Sequence, residues 1–453
     1  MDYNKMLNNH KEYFNSGETL TYNFRIVMLK KLREAIIKNH DKIKIALYND
    51  LSKSFEESYL TEIGLVLNEI NYHIKNLNKW MKIKKVKTPL SLFKAKSYIY
   101  KEPLGTVLII SPWNYPFQLA ISPLIGAISA GNTAVIKPSL NALNTANIIK
   151  SMLDDTFSDK YIKTLLIDDL EADKVTELEF DHIFFTGSTR VGKIIMKKAS
   201  DNLVPLTLEL GGKSPVIIND FKNIDLAAKR VAYGKLINAG QTCIAPDYVL
   251  IRSKDKDEFV KSYIKYVHNF YGSDVINNSN YPKIINKYHL DRLIKLTKTD
   301  KLIYGGEYNE FKLSPTLIDN VTFESEIMKD EIFGPILPII TYDNVNDLIK
   351  TLKNKEKPLA LYLFTNSKNI INQITSKLSF GGMTINDTLM HFANENLPFG
   401  GVGNSGMGSY HGYYSFKTFS HYKSVLKRSE IDLRFRYHPI NKKDKKIIER
   451  FLK

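Results

Sequence analysis

The chain is poor in cysteine: Cys243 is the only one among its 453 residues. No intramolecular disulfide can form, so oxidative folding is irrelevant and a reducing compartment is expected. Long hydrophobic runs are missing too. The most apolar stretch, residues 107–136, is broken by Pro112, Pro116, Pro123 and polar residues, so no membrane span is read there. The opening residues Met1-Asp-Tyr-Asn-Lys-Met6 lack the apolar segment of a secretory signal, and neither end carries a lipidation motif. These absences set the expectation of a cytoplasmic protein. There is no internal repeat and no low-complexity linker, and no metal site is expected.

Acidic residues are outnumbered, 48 against 64 basic ones, for a formal net charge of +16. That balance would suit nucleic acid or an anionic membrane. The lysines are spread along the whole chain, however, and no nucleic-acid-binding module is present, so no nucleic-acid partner is expected. The densest basic run, Lys442-Lys443-Asp444-Lys445-Lys446, reads first as a solvated helix end and second as a peripheral contact to anionic lipid. With 43% hydrophobic and 25% charged residues, the composition is that of a soluble globular protein with room for two or three domains.

What is present is organised in three textures. Residues 25–39 and 62–76 place apolar side chains at a 3.6-residue period and predict helices, and 97–102 alternates like a short strand. From residue 104, short apolar runs at 107–110, 134–136, 164–167, 183–185 and 206–210 alternate with helix-like stretches at 144–153 and 191–199. Such alternation predicts a parallel sheet covered on both faces, the architecture of a dinucleotide-binding domain. A second series follows Gly211-Gly212, with strands expected at 215–218, 248–251, 302–304, 335–341 and 360–365. Helices are expected between them at 224–237, 256–270, 288–297 and 345–353. The tail from Lys417 is basic and aromatic and fits neither series.

Several residues have the chemistry for a covalent site. Cys243 sits in Asn238-Ala-Gly-Gln-Thr-Cys243-Ile-Ala-Pro246, whose glycine and proline make a turn able to present a thiol; the plainer reading is an inert small hydrophobe. Glu209 ends the run Pro205-Leu-Thr-Leu-Glu209 before two glycines, where a carboxylate can meet a ligand and, paired with Cys243, act as general base for water attacking an acyl-cysteine; the plainer reading is a surface Glu starting a loop. Asn114, in Ser111-Pro-Trp-Asn114-Tyr-Pro116, has an amide able to donate to an oxyanion, or is simply a turn former between prolines. Phe184-Phe-Thr-Gly187-Ser188-Thr189-Arg190-Val191-Gly192 reads as strand, turn and helix start, a place for phosphates, although it is not the G-x-G-x-x-G fingerprint. Lys137, at a strand end, could hold ribose hydroxyls or merely be solvated.

In order along the chain, Pro112-Trp-Asn-Tyr-Pro116, Lys137-Pro-Ser139, Phe185-Thr-Gly-Ser188, Glu209-Leu-Gly-Gly-Lys213, Gly240-Gln-Thr-Cys243, Glu331-Ile-Phe-Gly-Pro335 and Pro398-Phe-Gly-Gly401 resemble the aldehyde dehydrogenase superfamily over about residues 20–440. Lys213-Ser-Pro215, Ala245-Pro-Asp-Tyr248 and Asp432-Leu-Arg-Phe-Arg-Tyr437 are similar to its class 3 branch of fatty and aromatic aldehyde dehydrogenases. The resemblance implies an α/β fold with a Rossmann-like cofactor domain (residues 1–85 and 101–210) and an α/β catalytic domain (211–400). A small β oligomerisation and C-terminal element (86–100 and 417–453) would complete it, in a homodimer. It implies Cys243 as nucleophile, Glu209 as general base, and Asn114 with the Cys243 N–H as oxyanion hole. NAD or NADP would be held by Lys137, by Gly187 through Gly192, by Glu331 on the nicotinamide ribose and by Phe333 near the nicotinamide.

The implied reaction is attack of sulfur on an aldehyde, loss of hydride to the nicotinamide, and hydrolysis of the resulting thioester to a carboxylic acid. The nearest rival passes the acyl group to coenzyme A; Glu209 argues for water. One position departs from the family. Many relatives carry a Glu after Lys137-Pro-Ser139 that would repel a 2′-phosphate, whereas this chain has Leu140, which implies dual or NADP-tolerant use. Trp113, Tyr115, His391, Phe392 and Phe399 suggest an apolar pocket for medium- or long-chain aliphatic or aromatic aldehydes, the alternative being that they are mostly core in a chain that is 11% aromatic.

Overall fold

The computed structural model describes residues 2–433 and 437–451; Arg434, Phe435 and Arg436 of the tail motif lie outside the described residues. The N-terminal region is helical for the reason its periodicity predicts. Leu29, Leu32, Ile36, Ile43, Leu47 and Leu51 line one buried face of the helix Tyr22–Leu51. Thr21 caps it, its hydroxyl accepting the Phe24 N–H at 3.2 Å. The helix outruns the expected 25–39 at both ends, beginning at the Thr21 cap and running on because the apolar stripe continues through Ile43 and Leu47.

Strands β1 (Lys84–Val86) and β2 (Ala95–Pro103) precede a parallel series of β3 (Thr106–Ile110), β4 (Thr133–Lys137), β5 (Ile162–Thr164), β6 (His182–Thr186) and β7 (Leu206–Glu209). A second series holds β8 (Pro215–Ile218), β9 (Tyr248–Arg252), β10 (Lys301–Tyr304), β11 (Thr316–Asp319), β12 (Ile336–Tyr342), β13 (Ala360–Phe364) and β14 (Gly382–Ile385). β15 (Gly406–Met407) and β16 (Ser420–Arg428) close the chain's strands. Among the described residues these form three sheets, ordered β15-β7-β6-β3-β4-β5, β10-β11-β12-β9-β8-β13-β14 and β1-β2-β16. The chain passes from the first sheet to the second between β7 and β8. β3, β4, β6, β8 and β13 are buried along their whole length, which is why they read as unbroken apolar runs.

Three features escape local reading. The helix Gln118–Ala130 lies inside the apolar stretch that carries the prolines; every residue is buried, so it shows no polar face and no period. β5 lies ahead of the expected 164–167, because its ladder with β4 closes where Leu165 N–H donates to Ile136 O at 2.8 Å and the chain then turns into the helix Asp169–Thr176. The tail at β16 pairs antiparallel with β2 from Ser420 opposite Pro103 to Arg428 opposite Ala95. β2 therefore extends beyond 97–102 and crosses the division expected at 100/101.

The C-terminal segment is also packed into the first layer. A side chain at Gly126, in the helix Gln118–Ala130, would place its Cβ 2.8 Å from the Phe419 ring and 3.0 Å from Ser415 Cβ. Gly126→Val is expected to destabilise the protein by about 1–3 kcal/mol through overpacking, a loss that urea denaturation would read.

Candidate active site

Parallel register gathers residues from distant parts of the sequence at one edge of the first sheet. Glu209 on β7 lies opposite Thr186 on β6, and Ile110 on β3 lies opposite both Phe185 and Lys137. β3 has β4 on one side and β6 on the other, so this carboxyl edge is also the point where the strand order reverses, the usual seat of a ligand in an open α/β sheet. The buried side-chain oxygens of Ser111, Thr186 and Glu209 at this edge have no hydrogen-bond partner. Buried polar atoms are normally paired, so unpaired ones at such an edge point to a ligand or water.

Asn114 and Cys243 approach from turns on different sheets. Asn114 follows β3; Cys243 lies between the helix Ile224–Leu236 and β9. The Asn114 side-chain amide donates to Gln241 O at 2.9 Å, and Tyr115 and Thr242 join their hydroxyls at 2.6 Å. Tyr362 donates to Ile244 O, in the residue after the thiol. The turn needs glycine at 240: its φ is +75°, and a Cβ would lie 2.3 Å from Gly334 O. That contact brings the Glu331-Ile-Phe-Gly334 loop against the cysteine turn. Glu331 itself fits only because residue 211 has no side chain; a Cβ there would sit 2.0 Å from its Oε2. Phe333, at φ 51°, turns its ring edge to Trp113 with centroids 5.4 Å apart.

The aldehyde dehydrogenase family model matches residues 1–425. The chain belongs to the aldehyde dehydrogenase family. It is 49% identical to 4,4'-diaponeurosporen-aldehyde dehydrogenase of Staphylococcus aureus over 423 residues, 92% of each chain. It is 41% identical over 427 residues, 94% of each, to the dimeric NADP-preferring aldehyde dehydrogenase of Mus musculus. Among solved structures, the substrate-bound state of Staphylococcus aureus AldH superposes with a TM-score of 0.97 at 47% identity, covering 99% of both chains. The resemblance to the class 3 branch and the expected α/β aldehyde dehydrogenase fold are thus borne out. The protein is an NAD(P)-dependent aldehyde dehydrogenase that oxidises aldehydes to carboxylic acids.

In this aldehyde dehydrogenase the side chains of Cys243, Glu209 and Glu331 all have raised pKa values. Burial pushes the Cys243 thiol well above the ordinary thiol range, and the Glu331 and Glu209 carboxylates add to the rise. The N–H groups of Cys243 and Ile244 pull the other way. Burial alone lifts Glu209 well above the carboxylate range. Burial and then Asp247 raise Glu331 to about 8, against the Gly212 N–H, Lys213 and Lys235.

The cofactor-side residues fit a dinucleotide. The helix Thr189–Asp201 starts at this edge with Ser188 as its cap, the Ser188 hydroxyl accepting the Val191 N–H at 3.4 Å. Arg190 is exposed there, and Thr189 donates to Asn404 O at 3.2 Å. Gly187 and Gly192 also have an internal reason to be glycine, since a Cβ would meet Phe185 at 2.5 Å and Leu210 at 2.8 Å respectively. Lys137 is buried, its amine 3.4 Å from Asp169, and Leu140 opens the short turn that follows.

Two expectations change. Phe399 is core, set edge-on to Phe392 and Tyr410, rather than open pocket wall. Tyr115 is buried and locked to Thr242. Motif reading also missed a tether: Lys213 bonds Asp247 at 2.6 Å and the carbonyls of Ile327 and Asp330, while Asp247 accepts the Ile332 N–H at 3.0 Å, fixing the loop on both sides of Glu331. The signal lay in Lys213 and Asp247 both falling in matched motifs; only the fold pairs them.

The raised Glu209 carboxyl has a consequence for stability. Its folded pKa lies above the unfolded one, so the stability it contributes is present at low pH and lost as pH rises through the folded value. Glu209→Gln is therefore expected to gain stability relative to wild type at pH 8 compared with pH 5, by up to about 1.4 kcal/mol for each pH step of one in that interval over which the carboxyl stays protonated only in the folded state. Thermal unfolding at the two pH values tests this; an equal difference at both would remove the shift.

Proposed function

We propose that Cys243, Glu209 and Asn114 carry out the oxidation. The observation that carries this reading is that the turn ending in the chain's one thiol is hydrogen-bonded to the Asn114 amide, while the buried Glu209 carboxyl at the same sheet edge as β3 has no partner for either oxygen. Sulfur bonds to the aldehyde carbon as the thiol proton leaves to a base. The carbonyl oxygen becomes an oxyanion held by the Asn114 amide and the Cys243 N–H. When bound, the oxidised nicotinamide supplies the acceptor for the hydrogen and electron pair that leave the tetrahedral carbon. The acyl group stays on sulfur. Glu209, a stronger base for its raised pKa, takes a proton from water; the hydroxide adds to the thioester, the C–S bond breaks, and the acid departs.

Lys137 would hold the adenosine ribose, Gly187 through Gly192 the phosphates, Glu331 the nicotinamide ribose and Phe333 the nicotinamide. Position 140 bears no carboxylate to oppose a 2′-phosphate, and Lys137 and Arg190 are cations on this side, which supports use of both NAD and NADP. Trp113, His391 and Phe392, all half-buried, support an apolar aldehyde substrate; the Staphylococcus relative's name specifies a 4,4'-diaponeurosporen-aldehyde. We propose further a homodimer, supported by the open edges of β16 and β14, and a cytoplasmic location, supported by the need to keep a lone nucleophilic thiol reduced. Sedimentation giving the mass of one 52.0 kDa chain would rule out the dimer.

Cys243→Ala is expected to abolish NAD(P)-linked oxidation across an aldehyde panel. Asn114→Ala should lower kcat by about 10²–10³. Glu209→Gln should release about one equivalent of reduced cofactor in a burst and then stall; steady turnover without a burst would assign deacylation elsewhere. Free acid should form without coenzyme A. Wild type should prefer NAD over NADP by less than about a hundredfold, and Leu140→Glu should move the ratio toward NAD by about tenfold or more, as expected for a carboxylate facing a 2′-phosphate.

A further inference from the structure

The two turns that carry Asn114 and Cys243 are held by residues of the N-terminal helical region, far away in sequence. Lys53 and Glu62 are fully buried and paired at 2.6 Å. The Lys53 amine also donates to Asn114 O at 3.1 Å and stands 3.9 Å over the Tyr115 ring. Glu62 accepts the N–H groups of Phe117 and Gln118 at 2.9 and 3.1 Å, at the start of the helix Gln118–Ala130. Nearby, Glu57 accepts the Asn238 N–H at 2.7 Å.

That last contact falls on a strained place. Asn238 (φ 51°, ψ 31°) and Ala239 (φ 51°, ψ 34°) are successive non-glycine residues in the left-handed region, which L side chains occupy only when surrounding contacts impose it. Asn238 in turn donates its side-chain amide to Asn114 O at 2.8 Å and to Gln241 O at 3.2 Å. Asn114 donates to the same Gln241 carbonyl. Glu57 thus reaches both reacting turns through one backbone N–H.

We propose that Glu57 is a positioning residue for this oxidation, its carboxylate holding the strained Asn238–Ala239 turn and through it the Cys243 thiol against the Asn114 amide. The proposal rests on the assignment of Cys243 and Asn114 made above. A carboxylate accepts this bond more strongly than a neutral carboxyl or an amide does. Burial pushes Glu57 up to about 7, against the pull of Lys53 and of the Asn238 N–H and with Glu62 adding to the rise; Tyr115, Tyr233 and Tyr271 face it as well. Protonation therefore weakens the hold as pH falls through about 7, and turnover falls with it.

Glu57→Gln keeps the side chain's shape but cannot ionise. It is expected to lower kcat at pH 8 by about tenfold, the worth of one charge-assisted hydrogen bond over a neutral one. The aldehyde KM should change by less than about twofold, and the acid limb near pH 7 should disappear. Glu57→Asp, which still ionises, should keep an acid limb at reduced kcat, and it serves if the glutamine variant does not fold. Because Cys243 is the only thiol, its alkylation by iodoacetamide reports the turn without aldehyde or cofactor; the Glu57→Gln rate at pH 8 should differ from wild type by about threefold or more. Unchanged kcat, acid limb and alkylation rate would overturn the proposal. If wild type itself oxidised no aldehyde, the assignment of Cys243 would fail, and the alkylation comparison would still decide whether Glu57 governs the turn.

Discussion

The hydrogen bond from the Asn114 amide to the Gln241 carbonyl joins the turn after β3 to the turn that carries Cys243, and the proposed site depends on it. Asn114 belongs to the turn after β3, and Gln241 to the turn that ends in Cys243. Neither sheet alone can fix both groups, because Asn114 lies just past the end of β3 and Cys243 lies between the helix Ile224–Leu236 and the start of β9. The surrounding contacts make this junction rigid. Gln241 spends its whole side-chain amide on Asn238 O, Lys283 O and the Ile285 N–H. Gly240 seats the Glu331 loop against the same turn. A reacting thiol held this way needs little rearrangement to meet a carbonyl, and such preorganisation is where much of an enzyme's rate enhancement comes from.

Around that junction the molecule gives up stability. Glu209 is buried with neither oxygen paired, a state that costs roughly 1–3 kcal/mol for an ordinary polar group. The αL pair at Asn238 and Ala239 adds strain beside it. Such costs at one site are tolerated because the two layers around it are tightly packed, with β3, β4, β6, β8 and β13 buried along their whole length. Burial raises the pKa of Cys243, Glu209 and Glu331 together, so a positive charge brought into the site would favour the thiolate.

The amino-acid sequence by itself settled a good deal. Continuous apolar runs separated by helical stretches located most strands of both sheets, because parallel strands buried on both faces leave no alternation to confuse the reading. The motifs singled out Cys243, Glu209, Asn114 and Glu331, the residues of the proposed site, because groups placed at a turn or a strand end carry their glycines and prolines beside them. Where locality failed, the cause lay in a distant partner. The length of β2 follows from β16 some three hundred positions later, the buried helix Gln118–Ala130 has no polar face to reveal it, and Phe399 reads the same whether it lines a pocket or a core. Tertiary structure alone decided that Lys53, Glu57 and Glu62 stand behind the reacting turns and that Lys213 and Asp247 brace Glu331. A charged side chain looks the same in a sequence whether it faces water or a buried carbonyl. Only packing removes the water, and with it the cheaper alternative partner.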